Sequence, residues 1–439
     1  MKRWTVYFAG LVVSVGLSSG CARKDAQAAA APSVNLDPCA AALAQGPERD
    51  DRDRAIARLQ QLARSLASPE GEIERLGYAY VARARVSSDP GDYTLAERAA
   101  ACLERRRRGD PAALLLKGHV LHQLHRFAEA ERIARDLVAR RSFVLDYGLL
   151  GDAVMEQGRL DEAADAYQKM IDLKPFYQSY TRAAHLRWLK GDLDGAIDVM
   201  RLAIGAASPR DPESAAWAWT RLAAYELQAD RAGAAASAAE MALRYQPDYP
   251  AALLVQGRIF LATDRPADAV AVLRNAARLN PLPEYQWTLA DALRLQRLDD
   301  EATAIEAEMV ARGRVADPRT LSLYLATRRM DAPKAIALAE EELRARADVF
   351  TLDAHAWALA ASGRIREALP VITRAVAEGT EDARLFLHAG LINAAAGRSR
   401  DAKRWLNKAE HLRSMLLPSE LEELDKSLTG TARESGEPK

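Results

Sequence analysis

Cysteine, aromatic rings and surplus charge are all scarce in this chain of 439 residues, and each scarcity excludes something. Lys plus Arg and Asp plus Glu both number 61, so the formal net charge is zero. A nucleic-acid binder carries a basic excess on its domain, and the balance argues against that class. The run Arg105–Arg108 then reads as a solvated helix face. No phosphate-cradling Gly loop, H-E-x-x-H or CxxC occurs, so no catalytic residue, cofactor or metal site is assigned and an enzyme is the weakest reading. The one markedly apolar run, Trp4 to Val15, falls short of the ~20 residues that span a bilayer.

What the N-terminus does have is an ordered set of export features. Lys2 and Arg3 precede the apolar run, and the small residues Gly16, Ser18, Ser19 and Gly20 precede Cys21. Together they describe a signal peptide over residues 1–20. Leu17-Ser18-Ser19-Gly20-Cys21 resembles a bacterial lipobox, with Ser18 where that pattern has Leu. The resemblance implies cleavage before Cys21, lipid attachment to it, and a membrane association through that anchor only. Ala22 follows, where Asp would retain a lipoprotein at the inner membrane in enteric-type sorting. The implied location is the cell envelope, on the periplasmic face of the outer membrane. Residues 21–53 are small, Pro-containing and polar, and read as a flexible tether. Of the three cysteines, Cys39 and Cys102 remain once Cys21 is lipidated. Two readings stay open for them: a disulfide in an oxidising compartment, or two small buried hydrophobes.

Internal periodicity dominates the remainder. The phrases HRFAEA (125–130), GRLDEA (158–163), GDLDGA (191–196), DRPADA (264–269), RLDDEA (297–302), GRIREA (363–368) and GRSRDA (397–402) each end in Ala. With weaker matches the series is Ala96, Ala130, Ala163, Ala196, Ala234, Ala269, Ala302, Ala335, Ala368 and Ala402. It covers 306 residues in nine steps, a mean of 34. The step from Ala196 to Ala234 is longer, and the excess at 208–213 predicts a lengthened connecting turn. Each phrase follows one helical pattern and opens a second, closed by residues such as Pro175, since Pro cannot continue a helix.

Tyr147 to Pro175, with Leu150, Gly151, Ala163, Tyr167 and Pro175 in place, resembles the tetratricopeptide repeat. The resemblance implies an all-α fold, a right-handed superhelical α-solenoid of about ten helix-turn-helix repeats over residues 77–416. A capping helix region precedes it (54–76, with an amphipathic helix from Arg54 to Leu66). A polar capping helix follows at 417–428 with Ser419 as N-cap, then a disordered tail at 429–439.

In that family the first helix of each hairpin lines the concave surface. Carried over from the phrase-ending Ala, this implies a partner-binding groove of Trp188, Trp219, Arg258, Trp287, Asp291, Arg294, Tyr324, Arg328 and Trp357. His185, Phe350 and Asp353 share the face. Trp, Tyr and Arg dominate binding hot spots; against that, a Trp stripe at helical spacing also suits a core. His119, His122 and His125 cannot all reach one ion from one helix, so no metal is assigned to them. The expected function is a non-enzymatic, envelope-anchored adaptor that binds a protein or peptide segment. The alternative is an accessory lipoprotein of an envelope enzyme or transport system, binding glycan or metal.

Overall fold

The computed structural model describes residues 37–435 apart from positions 47, 49, 88, 89 and 209. The expected signal peptide, Cys21, residues 22–36 of the expected tether and 436–439 of the tail lie outside the described residues. Among the described residues there are 23 α-helices, one 3-10 turn and no strand. No helix there is long and apolar enough to cross a membrane. The residues fall into two compact units that divide between Pro175 and Phe176.

Unit 1 holds α1 (Pro38–Ala42), α2 (Asp51–Ser65), α3 (Glu70–Ser87), α4 (Pro90–Arg106), α5 (Pro111–Gln123), α6 (Phe127–Arg140), α7 (Val144–Glu156) and α8 (Leu160–Leu173). Unit 2 opens with α9 (Tyr177–Leu189), α10 (Leu193–Ala206), α11 (Pro212–Gln228), α12 (Ala232–Tyr245), α13 (Pro250–Ala262), α14 (Pro266–Leu279) and α15 (Pro283–Leu295). It continues with α16 (Asp299–Ala316), α17 (Pro318–Thr327), α18 (Ala332–Ala345), α19 (Val349–Ala361), α20 (Ile365–Ala375), α21 (Ala383–Ala395) and α22 (Ser399–His411). A 3-10 turn at Arg413–Met415 leads into α23 (Pro418–Ser435). From α3 to α22 the helices pack in consecutive antiparallel pairs. That makes ten hairpins, the number of phrase-ending alanines, and an all-α solenoid.

The phrases are the hairpin turns, and their first residue is there for its backbone. Gly158, Gly191, Gly363 and Gly397 have φ of 79°, 78°, 82° and 73°. At the equivalent places His125, Asp230, Asp264, Arg297 and Arg329 are held at φ between 51° and 61°, at a cost of about 1 kcal/mol each. The left-handed residue lets the next amide return to a carbonyl of the ending helix: Arg159 to Val154, Asp192 to Arg187, Arg364 to Leu359. This is a Schellman closure, and it satisfies carbonyls the helix end would otherwise orphan.

The phrase-ending alanines are sealed where the two helices cross: Ala130, Ala163, Ala196 and Ala269 are fully buried. Gly151 does the same work from the first helix, since a Cβ there would lie 2.3 Å from the Tyr167 ring. One repeat departs from the expected register. Ala234 is exposed and Ala235 is buried in its place. The extra residues after Ala206 are absorbed as added helix at the start of α11, which has 17 residues against 13 in α9. Asp211 caps that helix by accepting from the Ser214 amide at 3.2 Å, and Pro212 sits at its first turn, where its missing N–H costs nothing. The insertion therefore lengthens a helix more than a turn.

The first folded residues also lie earlier than the sequence suggests. Asp37 caps α1 by accepting from the Cys39 amide at 2.9 Å, and Cys39 is joined to Cys102 of α4 by a disulfide. The Tyr80 hydroxyl donates to the Ala42 carbonyl at 2.7 Å. Residues 37–43, expected in the tether, are thus tied to the first hairpin. At the other end α23 continues past residue 428, and Ser419 lies inside its first turn instead of capping it.

The bridge closes a loop with 63 residues of separation. Chain-entropy reasoning puts its worth at about 2–4 kcal/mol. Cys39 and Cys102 should show no titratable thiol until reduced, and Cys39→Ser with Cys102→Ser should lower the stability of unit 1 by that amount in urea. Two free thiols without reductant would contradict the bridge.

Candidate functional site

The first helices α11, α13, α15, α17, α19 and α21 stand side by side in unit 2, and their shared face closes on itself at two places. The turn between α20 and α21 meets the end of α9. Trp188 Nε1 donates to the Glu381 carbonyl at 2.9 Å, the Thr380 hydroxyl to the Leu189 carbonyl, and Lys190 pairs with Glu378 at 3.0 Å. Gln228 Nε2 donates to the same Glu381 carbonyl. Gly191 is required here twice over: its φ is positive, and a Cβ would lie 2.6 Å from the Gly379 carbonyl oxygen.

The second closure is made by the chain's own end. The 3-10 turn and the start of α23 lie against α11, α13, α15 and α21. Asp291 accepts from the Ser419 amide at 3.0 Å and from its hydroxyl. Trp287 Nε1 donates to Ser419 Oγ at 3.4 Å, and Arg384 pairs with Glu420. Burial works to raise the Glu420 carboxyl, yet Arg384 and the Leu417 amide hold it below its ordinary range. At Asp291 burial wins and pushes the carboxyl up to about 6, although Arg328 at 2.6 Å and Ser419 both favour its charge.

Between the two closures lies a cavity of about 110 Å³. Trp188, Tyr225 and Phe350 form its aromatic wall, with Trp188 stacked on Phe350 at 5.4 Å between ring centres. Arg221, Arg258, Arg319 and Arg384 line it, as do Glu284, Asp353 and Asp382.

Of the nine residues expected in the groove, Trp188 and Arg258 line this cavity. Trp287, 1% exposed, and Asp291 and Arg328 are engaged beneath α23 or beside it. Tyr324 packs edge-on to Trp287 at 5.5 Å. Arg294 pairs with Glu306. Trp357 stacks on His388 at 4.3 Å and donates to Thr327 Oγ1 at 3.0 Å, as part of the core. Trp219 is half-buried and away from the cavity, which follows from the one-residue register change at Ala235. The expected open row of tryptophans is therefore corrected: Trp188, Trp287 and Trp357 are buried, because the solenoid and its C-terminal segment cover the face they line.

Arg221, Tyr225, Arg319 and Arg384 were missed. Arg221 carried a signal: it is the one cation within Ala215–Gln228, a mostly apolar stretch of a first helix whose other charged residue is Glu226. In unit 1, His119 meets Tyr78 at 6.1 Å, and His122 and His125 meet Phe127 at 5.2 and 5.4 Å. Among the described residues no group of three His, Cys, Asp or Glu is arranged to hold a metal ion.

Paired helices, left-handed turns and sealed alanines define a helical-repeat solenoid. The tetratricopeptide-repeat family model matches residues 149–212, 220–282 and 254–317, so the chain contains tetratricopeptide repeats. Similar solved structures include that of MamA, with 19% identity and a TM-score of 0.31 over 37% of this chain and 94% of that one. A tetratricopeptide repeat protein from Parabacteroides merdae has 14% identity and a TM-score of 0.39, over 56% and 93%. A human IFIT1 dimer with m7Gppp-AAAA has 13% identity and a TM-score of 0.48, over 74% and 77%. None of these likenesses speaks to what the chain binds. No curated protein matches the sequence.

Gly191→Ala should destabilise unit 2 by about 3 kcal/mol, from left-handed strain plus backbone overlap. Gly363→Ala, whose Cβ meets open space, should cost only about 1 kcal/mol. Urea unfolding of both variants checks this; equal costs would mean that the α9 closure contributes nothing.

Proposed function

We propose that this chain is a non-enzymatic interaction scaffold of the cell envelope, held by a lipid on Cys21, which grips a segment of a protein partner on the inner face of unit 2. One observation carries the reading. That face already holds a chain segment: Asp291 takes the Ser419 amide and hydroxyl, and Arg384 takes the Glu420 carboxylate. A surface that binds the start of one helix through its amide, hydroxyl and acid presents the same groups to another. Helix-in-groove recognition of this kind draws affinity from buried apolar anchors and register from the polar pairs. The C-terminal segment then acts as a resident occupant that a partner displaces.

The envelope assignment rests on the N-terminal residue order and on chemistry further in. A disulfide between Cys39 and Cys102 belongs in an oxidising compartment. Lipid on Cys21, with Ala22 after it, puts the chain on the periplasmic face of the outer membrane. A single acyl chain anchors only marginally, so a lipoprotein's several chains are what hold it there.

Two measurements on the full chain test this reading. In detergent phase partitioning the wild type should enter the detergent phase and Cys21→Ala the aqueous phase; identical partitioning would remove the lipid anchor. In cross-linked affinity isolation from envelopes, a protein partner should be recovered and then lost on adding a synthetic peptide of residues 417–429. Asp291→Ala should reduce recovery at least about tenfold, the loss typical of a buried polar anchor. Recovery unaffected by both would place the partner elsewhere on the surface.

A further inference from the structure

Of the four guanidinium groups around the unit 2 cavity, three have a carboxylate. Arg258 pairs with Glu284 at 2.7 Å, Arg319 with Asp348 at 3.4 Å, and Arg384 with Glu420. Arg221 has none among the described residues. It is 3% exposed, its Nε lacks any partner, and its one hydrogen bond is from Nη2 to the Tyr225 hydroxyl, at 3.3 Å. Otherwise it meets only π faces: Tyr225 at 4.9 Å and Trp188 at 5.6 Å.

A buried cation without a counter-charge is costly, because the lost hydration is only partly replaced by ring quadrupoles. Its neighbours do not supply the missing charge. His185, its ring tilted against Trp188 at 5.4 Å between ring centres, is held neutral by burial and by Arg221 itself. Asp353 is taken by His388 at 2.9 Å. Asp382 caps α21 by accepting from the Leu385 amide at 3.0 Å, and burial pushes its carboxyl up. Arg221 is thus a buried guanidinium with no carboxylate in contact, on the wall of the cavity.

We infer that this cavity is a binding site for a small organic monocarboxylate, its carboxylate on Arg221 and its apolar part against Trp188, Tyr225 and Phe350. One guanidinium without a carboxylate contact selects a ligand with one carboxylate: a second anionic group would be repelled by Glu284, Asp353 and Asp382 in the lining. The aromatic wall selects a ligand with an apolar body over a bare inorganic ion. The volume, about 110 Å³, is below the ~150 Å³ of an engineered apolar cavity that accepts benzene, so the ligand's apolar part is no larger than a single ring. A guanidinium is suited to the task, since its planar donors match a carboxylate edge to edge. The site does not depend on the docking of a partner segment, and it stands or falls separately from that reading.

The test is calorimetric titration of the full mature chain with benzoate and phenylacetate, alongside benzyl alcohol and inorganic phosphate. At least one of the two carboxylates should bind and raise the melting temperature, while the alcohol and phosphate should not. Arg221→Met should weaken that binding at least about tenfold, Arg221→Lys should retain part of it, and Phe350→Ala should weaken it with the cation still in place. If Arg221→Met does not fold by circular dichroism, the discrimination of carboxylate from alcohol in the wild type decides alone. Equal binding of acid and alcohol, tighter binding of phosphate, undiminished binding by a folded Arg221→Met, or no binding of either carboxylate at millimolar concentration would each overturn the site.

Discussion

The contact between the end of α9 and the turn before α21 governs what unit 2 can do. Repeat arrays are quasi-one-dimensional, each hairpin touching its neighbours. Here hairpins nearly two hundred residues apart meet, through Trp188 and the Glu381 carbonyl and through Gly191 against Gly379. That long-range closure brings α9 opposite α19, so that Trp188 stacks on Phe350. Without it there would be an open face and no cavity. Its chemistry is mostly backbone: Glu381 serves as a carbonyl, Leu189 as a carbonyl, and two glycines let the strands of chain approach.

The C-terminal segment completes the enclosure by different means. It brings charge and hydroxyl to a face already carrying Asp291, Arg328 and Arg384, where Ser419 meets Asp291 and Glu420 meets Arg384. Buried polar networks of this kind cost much when half-satisfied, which is why Ser419 and Glu420 matter more than their number suggests. Burial still pushes Asp291 up to about 6. The residue is thus held charged by its partners against a desolvation cost, and the segment sits on a surface built from competing terms.

Much of this was legible in the sequence. The 34-residue period and the phrase-ending alanines are local constraints, and local constraints show in spacing. Two classes of fact were not. At 208–213 the surplus residues had to go into either a turn or a helix; Asp211-Pro212 decided for helix, shifting the register by one and moving Trp219 off the inner face. The fate of Trp287 and Trp357 depended on what lay opposite them, and residue 419 is 132 positions from Trp287. Periodicity places a side chain on a face but does not say what covers that face. Arg221 shows the converse, because the one cation of α11 is visible from sequence while the lack of a carboxylate in contact with it is not.

Amide hydrogen exchange at Ser419 tests the covered face most directly. Ser419 lies in the first turn of α23, where backbone amides have no intrahelical acceptor and normally exchange fast. Its amide here is donated to Asp291 in α15. NMR-detected exchange should find it slowed, and Asp291→Ala should return it to the rate of an unprotected first-turn amide with the amides of α15 unchanged. A Ser419 amide that already exchanges at the free-chain rate in the wild type would mean that the C-terminal segment does not occupy the inner face.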